Sequence, residues 1–240
     1  MENSDKNRTI LVDVVFTSIY KKYDLMNDII SLGYHRIIKR NALKKCQSGN
    51  LLDLAAGTGD LTIYFRRLFG ENNKITLADP NSEMLDYAKF RLEKKSIIEN
   101  IKFVTTYAEE LPFDNNSFDN VTIGFGLRNF TDRPKALTEI NRVLRKNGKL
   151  IIIDFSKPVN PIINTLNTFY LNNIVPLLAK IITGNISEYR YLAKSISEHP
   201  SQSKIIKMMN DSEFTNCKYE NKLNGIIAVH LGEVKGNKSN

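Results

Sequence analysis

The sequence predicts an α/β protein built on one doubly wound sheet of seven strands. Two patterns support this fold class. From residue 50 onward, short β runs alternate with helical stretches, which is typical of βαβ units and a parallel sheet. The first run ends in a glycine turn and the second ends in an aspartate, as in Rossmann-like sheets that bind nucleotides.

The elements of this core follow one another in a regular order. Its β runs are NLLDLA (50–55), KITLAD (74–79), IKFVTT (101–106), FDNVTIGFG (118–126) and KLIIIDF (149–155). Helical stretches lie between them at LTIYFRRLF, SEMLDYAKFRLEKK and PKALTEINRVLRK. The last helix is expected to end at KNGK, where a glycine stop follows lysines of the final turn.

Two helical additions flank the core. The first 45 residues lie outside the βα rhythm and look helical, and apolar residues recur at helical spacing from 162 to 182, with Pro176 as the expected kink. GIIAVHLGEVK (225–235) is predicted as the final strand, paired with a weaker strand near EFTNCKYE. We therefore expect one domain over 1–240. Its parts are an arm (1–48), a ligand-binding core (49–156), a helical lid insertion (157–210), and the last strands and tail (211–240).

Composition places the protein in the cytoplasm. The polar start predicts no signal peptide, and the longest apolar stretch, 174–182, is too short to cross a bilayer. Cys46 and Cys217 are expected to be free thiols, and no metal signature is present in the sequence.

The net charge of +8 is concentrated in the two additions. Residues 1–50 hold nine Lys/Arg against five Asp/Glu, and residues 157–210 hold six against two, whereas the rest of the chain is balanced. A solvated basic surface explains this distribution. A face that binds an anionic membrane or a nucleic acid explains it equally well.

The glycine turn LLDLAAGTGD (51–60) predicts which nucleotide binds. It has neither the GK[ST] of a phosphate-binding loop nor the third glycine of a dinucleotide fingerprint. Asp53 and Asp60 flank the turn, and carboxylates repel a pyrophosphate but favour a cation. S-adenosylmethionine carries an ammonium and a sulfonium, and Gly57 and Gly59 let the backbone approach its adenosine. A nicotinamide dehydrogenase is the weaker alternative.

A second acid, Asp79, ends the next strand, where doubly wound sheets hold ribose hydroxyls. After the third strand, YAEELPF (107–113) is expected to place Ala108 and Glu109 beside the adenine.

With these residues the chain resembles the ubiquinone/menaquinone biosynthesis C-methyltransferase family. The matching stretches are YDLMNDIISLGYHR (23–36), LDLAAGTGDLT (52–62), GFGLRNFTD (124–132), RVLRKNGKLIIIDFSKP (142–158), EYRYLAKSI (188–196) and GIIAVHLG (225–232). The glycine loop is common to many methyltransferases, whereas the first stretch and the GLRN loop are specific to this family. The chain departs from the family at three positions: Ile38 replaces a tryptophan, Asp154 a glutamate and Gly124 a serine.

The resemblance implies a set of site residues. Thr58, Asp79, Tyr107 and Ala108 would contact S-adenosylmethionine, Asp53, Gly57 and Gly59 would shape the loop, and Gly124 would contribute its backbone. Tyr23, Arg128 and Asn129 would face the ring of a polyprenyl quinol.

Methylation of a ring carbon is the activity that the resemblance implies, and it needs a phenolate as nucleophile. Arginine is a poor proton acceptor, so Arg128 is interpreted as a stabiliser of the phenolate and Asn129 as a ligand of a ring oxygen. His35, Asp24 and Tyr23 are alternative bases or relays, and the sequence leaves the choice between them open.

Several alternatives stay open at this point. The two basic additions are expected to form a lid that contacts an anionic membrane, so that the protein binds peripherally to the inner face of the cell membrane. The alternative is that the helical segment of the insertion is an ordinary amphipathic helix that covers the sheet. A scaffold in a quinone-synthesis assembly and an RNA methyltransferase are competing functions, although no nucleic-acid partner is expected. The residues of the GIIAVHLG and LMND–SLGYHR motifs favour a benzoquinol over a menaquinone precursor as the substrate. The sequence does not decide whether the protein forms a homo-oligomer or joins a quinone-synthesis complex, or how long the isoprenoid tail of the substrate is.

Overall fold

The computed structural model describes residues 25, 27, 28, 31–177, 180 and 187–236, the last range with side chains from residue 190 onward. Tyr23 and Asp24, two of the predicted site residues, lie outside the described residues.

A single seven-stranded sheet forms the centre of the protein, and the predicted fold class is confirmed. The strands are β1 (Leu51–Leu54), β2 (Ile75–Asp79), β3 (Ile101–Thr105), β4 (Phe118–Gly124), β5 (Leu144–Phe155), β6 (Phe214–Lys222) and β7 (Ile227–Val234). Their order is β3-β2-β1-β4-β5-β7-β6. The first five strands pair in parallel, and β7 pairs antiparallel with both β5 and β6.

The central strands are buried on both faces, which explains their nearly continuous apolar sequence. Every residue of β1 and β2 is buried. The α-helices of the described residues are α1 (Tyr34–Leu43), α2 (Asp60–Phe69), α3 (Ser82–Glu93), α4 (Arg133–Val143), α5 (Pro161–Phe169), α6 (Ser187–Glu198) and α7 (Gln202–Asp211). From β1 the chain continues to β2 on one side of the sheet, and from β4 it continues to β5 on the other side. The order of strands therefore reverses between β1 and β4, and their carboxyl ends border a crevice where such sheets bind ligands.

The helix before β5 ends earlier than the sequence predicts. It stops at Val143, and Leu144 already pairs with Phe118 as part of β5. The left-handed residue of the KNGK stretch is Asn147, with φ 61°, and not the glycine. The residues from Leu144 onward therefore belong to β5, and the helix has already ended before Gly148 could act as a helix stop.

The helical insertion leaves an apolar surface uncovered. Helix α5 has no buried residue, and its Ile162, Leu166 and Phe169 are 71%, 63% and 59% exposed. A π-helical turn, Tyr170–Ile174, follows α5 just before Pro176, which has no amide hydrogen to donate. The predicted interruption is therefore present, and it begins before the proline.

The two ends of the insertion lie side by side. Gln202 at the start of α7 donates from Nε2 to the carbonyl oxygen of Lys157 (3.0 Å) and to Asn221 Oδ1 (3.1 Å). The chain thus leaves the sheet after β5 and returns to the same place before α7. Among the described residues, no helix is long and apolar enough to cross a membrane.

Candidate active site

The turn between β1 and α2 is tight because two of its glycines adopt left-handed backbone angles. Gly57 has φ 52° and Gly59 has φ 79°. A side chain at Gly59 would begin 3.3 Å from both Ala88 Cβ and Leu77 Cδ2. The glycine turn therefore packs directly against α3, as the sequence predicts for a backbone that a ligand must approach closely.

Asp79 fixes this turn to the end of β2. Its Oδ2 accepts a hydrogen bond from the backbone nitrogen of Gly57 (2.9 Å), and its Oδ1 accepts one from that of Asn81 (3.0 Å). The carboxylate is 8% exposed and lines the main cleft, so it is positioned both to hold the turn and to accept ligand hydroxyls.

The main cleft has a volume of about 80 Å³ and lies at the carboxyl ends of the strands. Gly57, Asp79, Tyr107, Ala108 and Asn129 are among its lining residues, so the structure brings five of the predicted site residues together. The carboxylate of Glu109 is directed to the chain before α4, where Oε1 accepts from the backbone nitrogens of Thr131 (2.9 Å) and Asp132 (3.0 Å). Its carboxylate therefore anchors that chain segment, beyond the role expected from the sequence.

A smaller cavity of about 20 Å³ lies on the other side of the glycine turn and is called here the loop cavity. It is lined by Lys39, Asp53, Ala55, Ala56, Gly57, Thr58, Asp60, Leu61 and Gly124. A Cβ atom at Gly124 would lie 2.9 Å from Leu61 Cδ1, so the leucine side chain fills the space that a serine would need.

Asp53 provides the loop cavity with a carboxyl group whose pKa is well above its usual value. Its oxygens accept from Thr62 N (3.0 Å), Thr62 Oγ1 (2.8 Å) and Thr122 Oγ1 (3.2 Å). Burial raises the pKa of Asp53 to about 7, because these hydrogen bonds offset only part of the lost hydration. A bound cation would restore the charged form.

The role assigned to Asp60 is wrong. Its carboxylate is bound by Lys39 Nζ (3.0 Å) and Arg91 Nη2 (2.9 Å), and it does not act as a second charge for a cationic ligand. Burial alone would raise the pKa of Asp60, but these two cations outweigh it and hold this pKa below its usual value. Arg91 also donates to the carbonyl oxygen of Thr58 (2.5 Å), so the ion pairs brace the loop.

Arg128 is 1% exposed and forms an ion pair beneath the GLRN turn. Its Nη1 donates to Asp154 Oδ1 (2.9 Å) and to the carbonyl oxygen of Phe125, and its backbone nitrogen donates to Asp154 Oδ2 (3.1 Å). Asp154, which stands where the family usually has a glutamate, is the partner that holds this arginine.

Asn129 stands at the cleft beside Arg128 and is partly exposed. Its Oδ1 accepts a hydrogen bond from Tyr191 Oη (3.2 Å) of α6. No role for Tyr191 is predicted from the sequence, although the EYRYLAKSI stretch that contains it is one of the matching motifs. The structure thereby joins the helical insertion to the predicted ring site.

His35, one of the three alternative bases, is completely buried in α1. Its Nε2 lies 2.8 Å from Asp28 Oδ1, and its ring packs edge-on against Phe125, with the centroids 6.3 Å apart. Phe125 lines the main cleft.

The residues present fit S-adenosylmethionine. The loop cavity carries a buried carboxylate for an ammonium, the turn is compact enough for close approach of an adenosine, and Asp79 can accept ribose hydroxyls. This arrangement on a seven-stranded sheet with an antiparallel β7 defines an S-adenosylmethionine-dependent methyltransferase. Two solved methyltransferases of this class share the fold, one from Thermotoga maritima (TM-score 0.65, 18% identity, 92% of this chain and 99% of that one). The other is from Aquifex aeolicus (TM-score 0.63, 17% identity, covering 90% of this chain and 97% of that one).

Sequence comparison gives the family. Residues 1–234 match the ubiE/COQ5 methyltransferase family. The chain is 45% identical over 221 residues to the ubiquinone/menaquinone biosynthesis C-methyltransferase UbiE of Francisella tularensis subsp. novicida, covering 91% of this chain and 88% of that one. It is 44% identical over 227 residues to the UbiE of Psychromonas ingrahamii, covering 92% and 90%. The chain therefore belongs to the ubiE/COQ5 family and is an S-adenosylmethionine-dependent C-methyltransferase.

Proposed function

We propose that the protein methylates a ring carbon of a polyprenyl quinol in ubiquinone or menaquinone biosynthesis. The acceptor would be 2-methoxy-6-polyprenyl-1,4-benzoquinol or a demethylmenaquinol, and the motif spelling favours the benzoquinol. The observation that carries the proposal is the position of Asn129, which lines the same cleft as Asp79 and Ala108 and presents an amide to an acceptor.

S-adenosylmethionine supplies an electrophilic methyl group when it is bound. The protein then has to hold the quinol ring close to that group, exclude water and favour the phenolate. We propose that Asn129 holds a ring oxygen, with its own amide oriented by Tyr191. Thr58, Asp79, Tyr107 and Ala108 are proposed to hold the cofactor, with Asp53, Gly57, Gly59 and the backbone of Gly124 around its amino-acid end.

Arg128 is proposed to stabilise the phenolate, and Tyr23 is proposed to face the quinol ring. Asp154 at 2.9 Å offsets much of the Arg128 charge, so a large part of its effect would come from the turn that it holds in place. The Phe125 carbonyl and the Arg128 amide are both fixed by this ion pair, and the adjacent Asn129 is thereby positioned in the cleft.

The reaction is tested by offering isotopically labelled S-adenosylmethionine together with a short-tailed benzoquinol, a demethylmenaquinol analogue, RNA and protein. We expect label on a ring carbon of a quinol, identified by mass spectrometry of the product. Label in RNA or protein, or none in either quinol, would contradict the proposal. The ratio of the two quinol products reports which ring the site prefers.

We also propose that the helical insertion contacts an anionic membrane and covers the isoprenoid tail. The exposed Ile162, Leu166 and Phe169 of α5 form an apolar stripe at helical spacing, in a segment that also carries excess positive charge. Lys194 and Lys207 each pair with an acid four residues later, which offsets their charge. The apolar stripe is therefore the sharper target for a test than the lysines.

The triple variant Ile162→Ser/Leu166→Ser/Phe169→Ser tests membrane binding. We expect its partition onto anionic vesicles to fall by about tenfold or more, which corresponds to about 1.4 kcal/mol. Turnover of a short-tailed quinol should survive, and salt should weaken the binding of the parent. Phe90→Ser is the matched control, since Phe90 is 57% exposed on α3 of the core. Equal vesicle binding by the triple variant and the parent would eliminate the proposed contact.

A further inference from the structure

Asn27, Ser31 and His35 form a set of buried polar residues at the start of the described chain, called here the N-terminal polar row. All three are at most 3% exposed. Ser31 Oγ donates to the carbonyl oxygen of Asn27 (2.6 Å) and accepts from the backbone nitrogen of His35 (3.2 Å). One hydroxyl group thus connects the other two residues, which come from the YDLMNDIISLGYHR stretch.

Three side-chain atoms of this row have no hydrogen-bond partner among the residues that the structure describes. They are Asn27 Oδ1, Asn27 Nδ2 and His35 Nδ1. A buried polar atom without a partner destabilises a fold, and most such atoms in proteins find a partner in the protein, a water or a ligand. A leucine of similar size at position 27 would avoid this cost. The row is therefore better suited to binding than to packing.

The row borders the site already described. The His35 ring meets the edge of Phe125, which lines the main cleft, and Lys39, one helical turn later in α1, lines the loop cavity. His35 is thus separated from the main cleft by one side chain, that of Phe125, whereas Lys39 borders the loop cavity directly. A ring held against Phe125 would be close to the cofactor and close to His35.

The charges around His35 determine which of its nitrogens is available. The Asp28 carboxylate accepts a hydrogen bond from Nε2 of His35. It also accepts two from Arg36, one from Nε and one from Nη2, at 2.8 Å each. Lys39 and Asp60 are the other charged groups that act on the ring. Burial, together with the Lys39 charge, lowers the pKa of His35 to about 4 against the opposing effect of Asp28. The imidazole is neutral at pH 7, and with its hydrogen on Nε2 it has a lone pair on Nδ1.

We infer that the N-terminal polar row is part of the acceptor site: Asn27 hydrogen-bonds a quinol oxygen, and His35 Nδ1 takes the proton of a ring hydroxyl. In this step the O–H bond breaks, its proton moves to Nδ1, and its electron pair stays on oxygen as the phenolate. Two negative charges, the Asp28 carboxylate and the new phenolate, then favour the imidazolium and offset the low pKa of the free imidazole. The proton returns to solvent with product release. The inference rests on the proposed quinol substrate.

Two variants separate binding from proton transfer, measured with a short-tailed quinol kept reduced and with saturating S-adenosylmethionine. His35→Gln keeps a hydrogen-bond acceptor but cannot take a proton, so we expect kcat to fall by about 100-fold with little change in KM. Its rate should then rise by about tenfold per pH unit toward the phenol pKa of about 10, because the substrate ionises without help. Asn27→Leu should raise KM by about tenfold while the melting temperature stays equal or increases.

His230→Gln is the matched control, because His230 is also buried and burial likewise lowers its pKa to about 4. It should keep the kcat and pH profile of the parent. If the parent methylates the quinol while both variants keep kcat/KM within about twofold, the inference is wrong and the proposed function stands. If the parent methylates no quinol, the proposed function fails first. Should His35→Gln not fold, an unchanged KM in folded Asn27→Leu would overturn the inference.

Discussion

Replacing Arg128 by alanine tests the ion pair beneath the GLRN turn. The guanidinium and the Asp154 carboxylate are 1% and 0% exposed and lie 2.9 Å apart. In Arg128→Ala, the buried carboxylate keeps, among the described residues, two hydrogen bonds, from the backbone nitrogens of residue 128 (3.1 Å) and Phe155 (2.8 Å). Breaking a buried pair by removing one partner costs about 3–5 kcal/mol of unfolding free energy.

This loss should be large enough to measure directly. For a chain of this size each kcal/mol shifts the melting temperature by about 2–4 °C, so the variant should melt about 6–20 °C below the parent. Urea denaturation of Arg128→Ala, Asp154→Leu and the double variant Arg128→Met/Asp154→Leu completes the experiment. The double variant should recover most of the loss, because no buried charge is left without a partner.

The activity of the same variant is measured under conditions where it is folded. We expect cofactor affinity to stay close to that of the parent and quinol turnover to fall by about 100-fold or more. Two results would refute the reasoning: a single variant that loses less than about 1 kcal/mol, or a double variant as unstable as the two single losses added together. Equal losses of cofactor binding and turnover would instead place Arg128 at the cofactor.

Three further predictions concern the cofactor end of the cleft. Asp79→Ala should weaken S-adenosylmethionine binding by roughly 1–3 kcal/mol in calorimetry, and unchanged affinity of a folded variant would exclude the ribose contact. Gly59→Ala should cost about 1–2 kcal/mol in urea denaturation from its left-handed backbone, plus a packing cost. Gly33→Ala, with φ 78° and nothing within 4 Å, shows the backbone cost alone, and equal losses would argue against crowding at Gly59. Because burial raises the pKa of Asp53 to about 7, its carboxyl takes up a proton below that pH and can no longer balance an ammonium. Cofactor affinity should then fall by up to about tenfold per pH unit below 7, and Asp53→Asn should bind more weakly without this slope. A parent that binds equally well from pH 5.5 to 8 would exclude the contact.

The sheet and the cofactor loop could be predicted because their signals are local. The β1 run, the glycine turn and the acid that ends β2 lie within thirty residues of one another, and each has one structural explanation. The ends of parallel strands meet at one edge, so the positions of Asp79 and Asn129 in a common cleft follow from strand order.

Side-chain pairs between distant segments could not be predicted in this way. Asp60 has the same sequence context as Asp53, but Lys39 and Arg91, from helices on either side of the loop, neutralise it. Arg128 is predicted from the sequence to face the quinol ring, whereas in the structure its guanidinium pairs with Asp154, 26 residues later. The Tyr191–Asn129 contact spans 62 residues and has no local pattern. In each case the charge or hydroxyl is visible in the sequence, whereas its partner depends on tertiary packing.

The hydrogen bond between Gln202 and Lys157 makes the intervening stretch an exchangeable module. Because its two ends are adjacent, segments of different length can be joined there at little entropic cost and without altering the strands that hold the cofactor. If this stretch covers the isoprenoid tail as proposed, we expect changes in it to alter acceptor size or tail length while methyl-donor chemistry stays unchanged. The same junction is where grafting the equivalent segment of a relative should transfer acceptor preference between two enzymes.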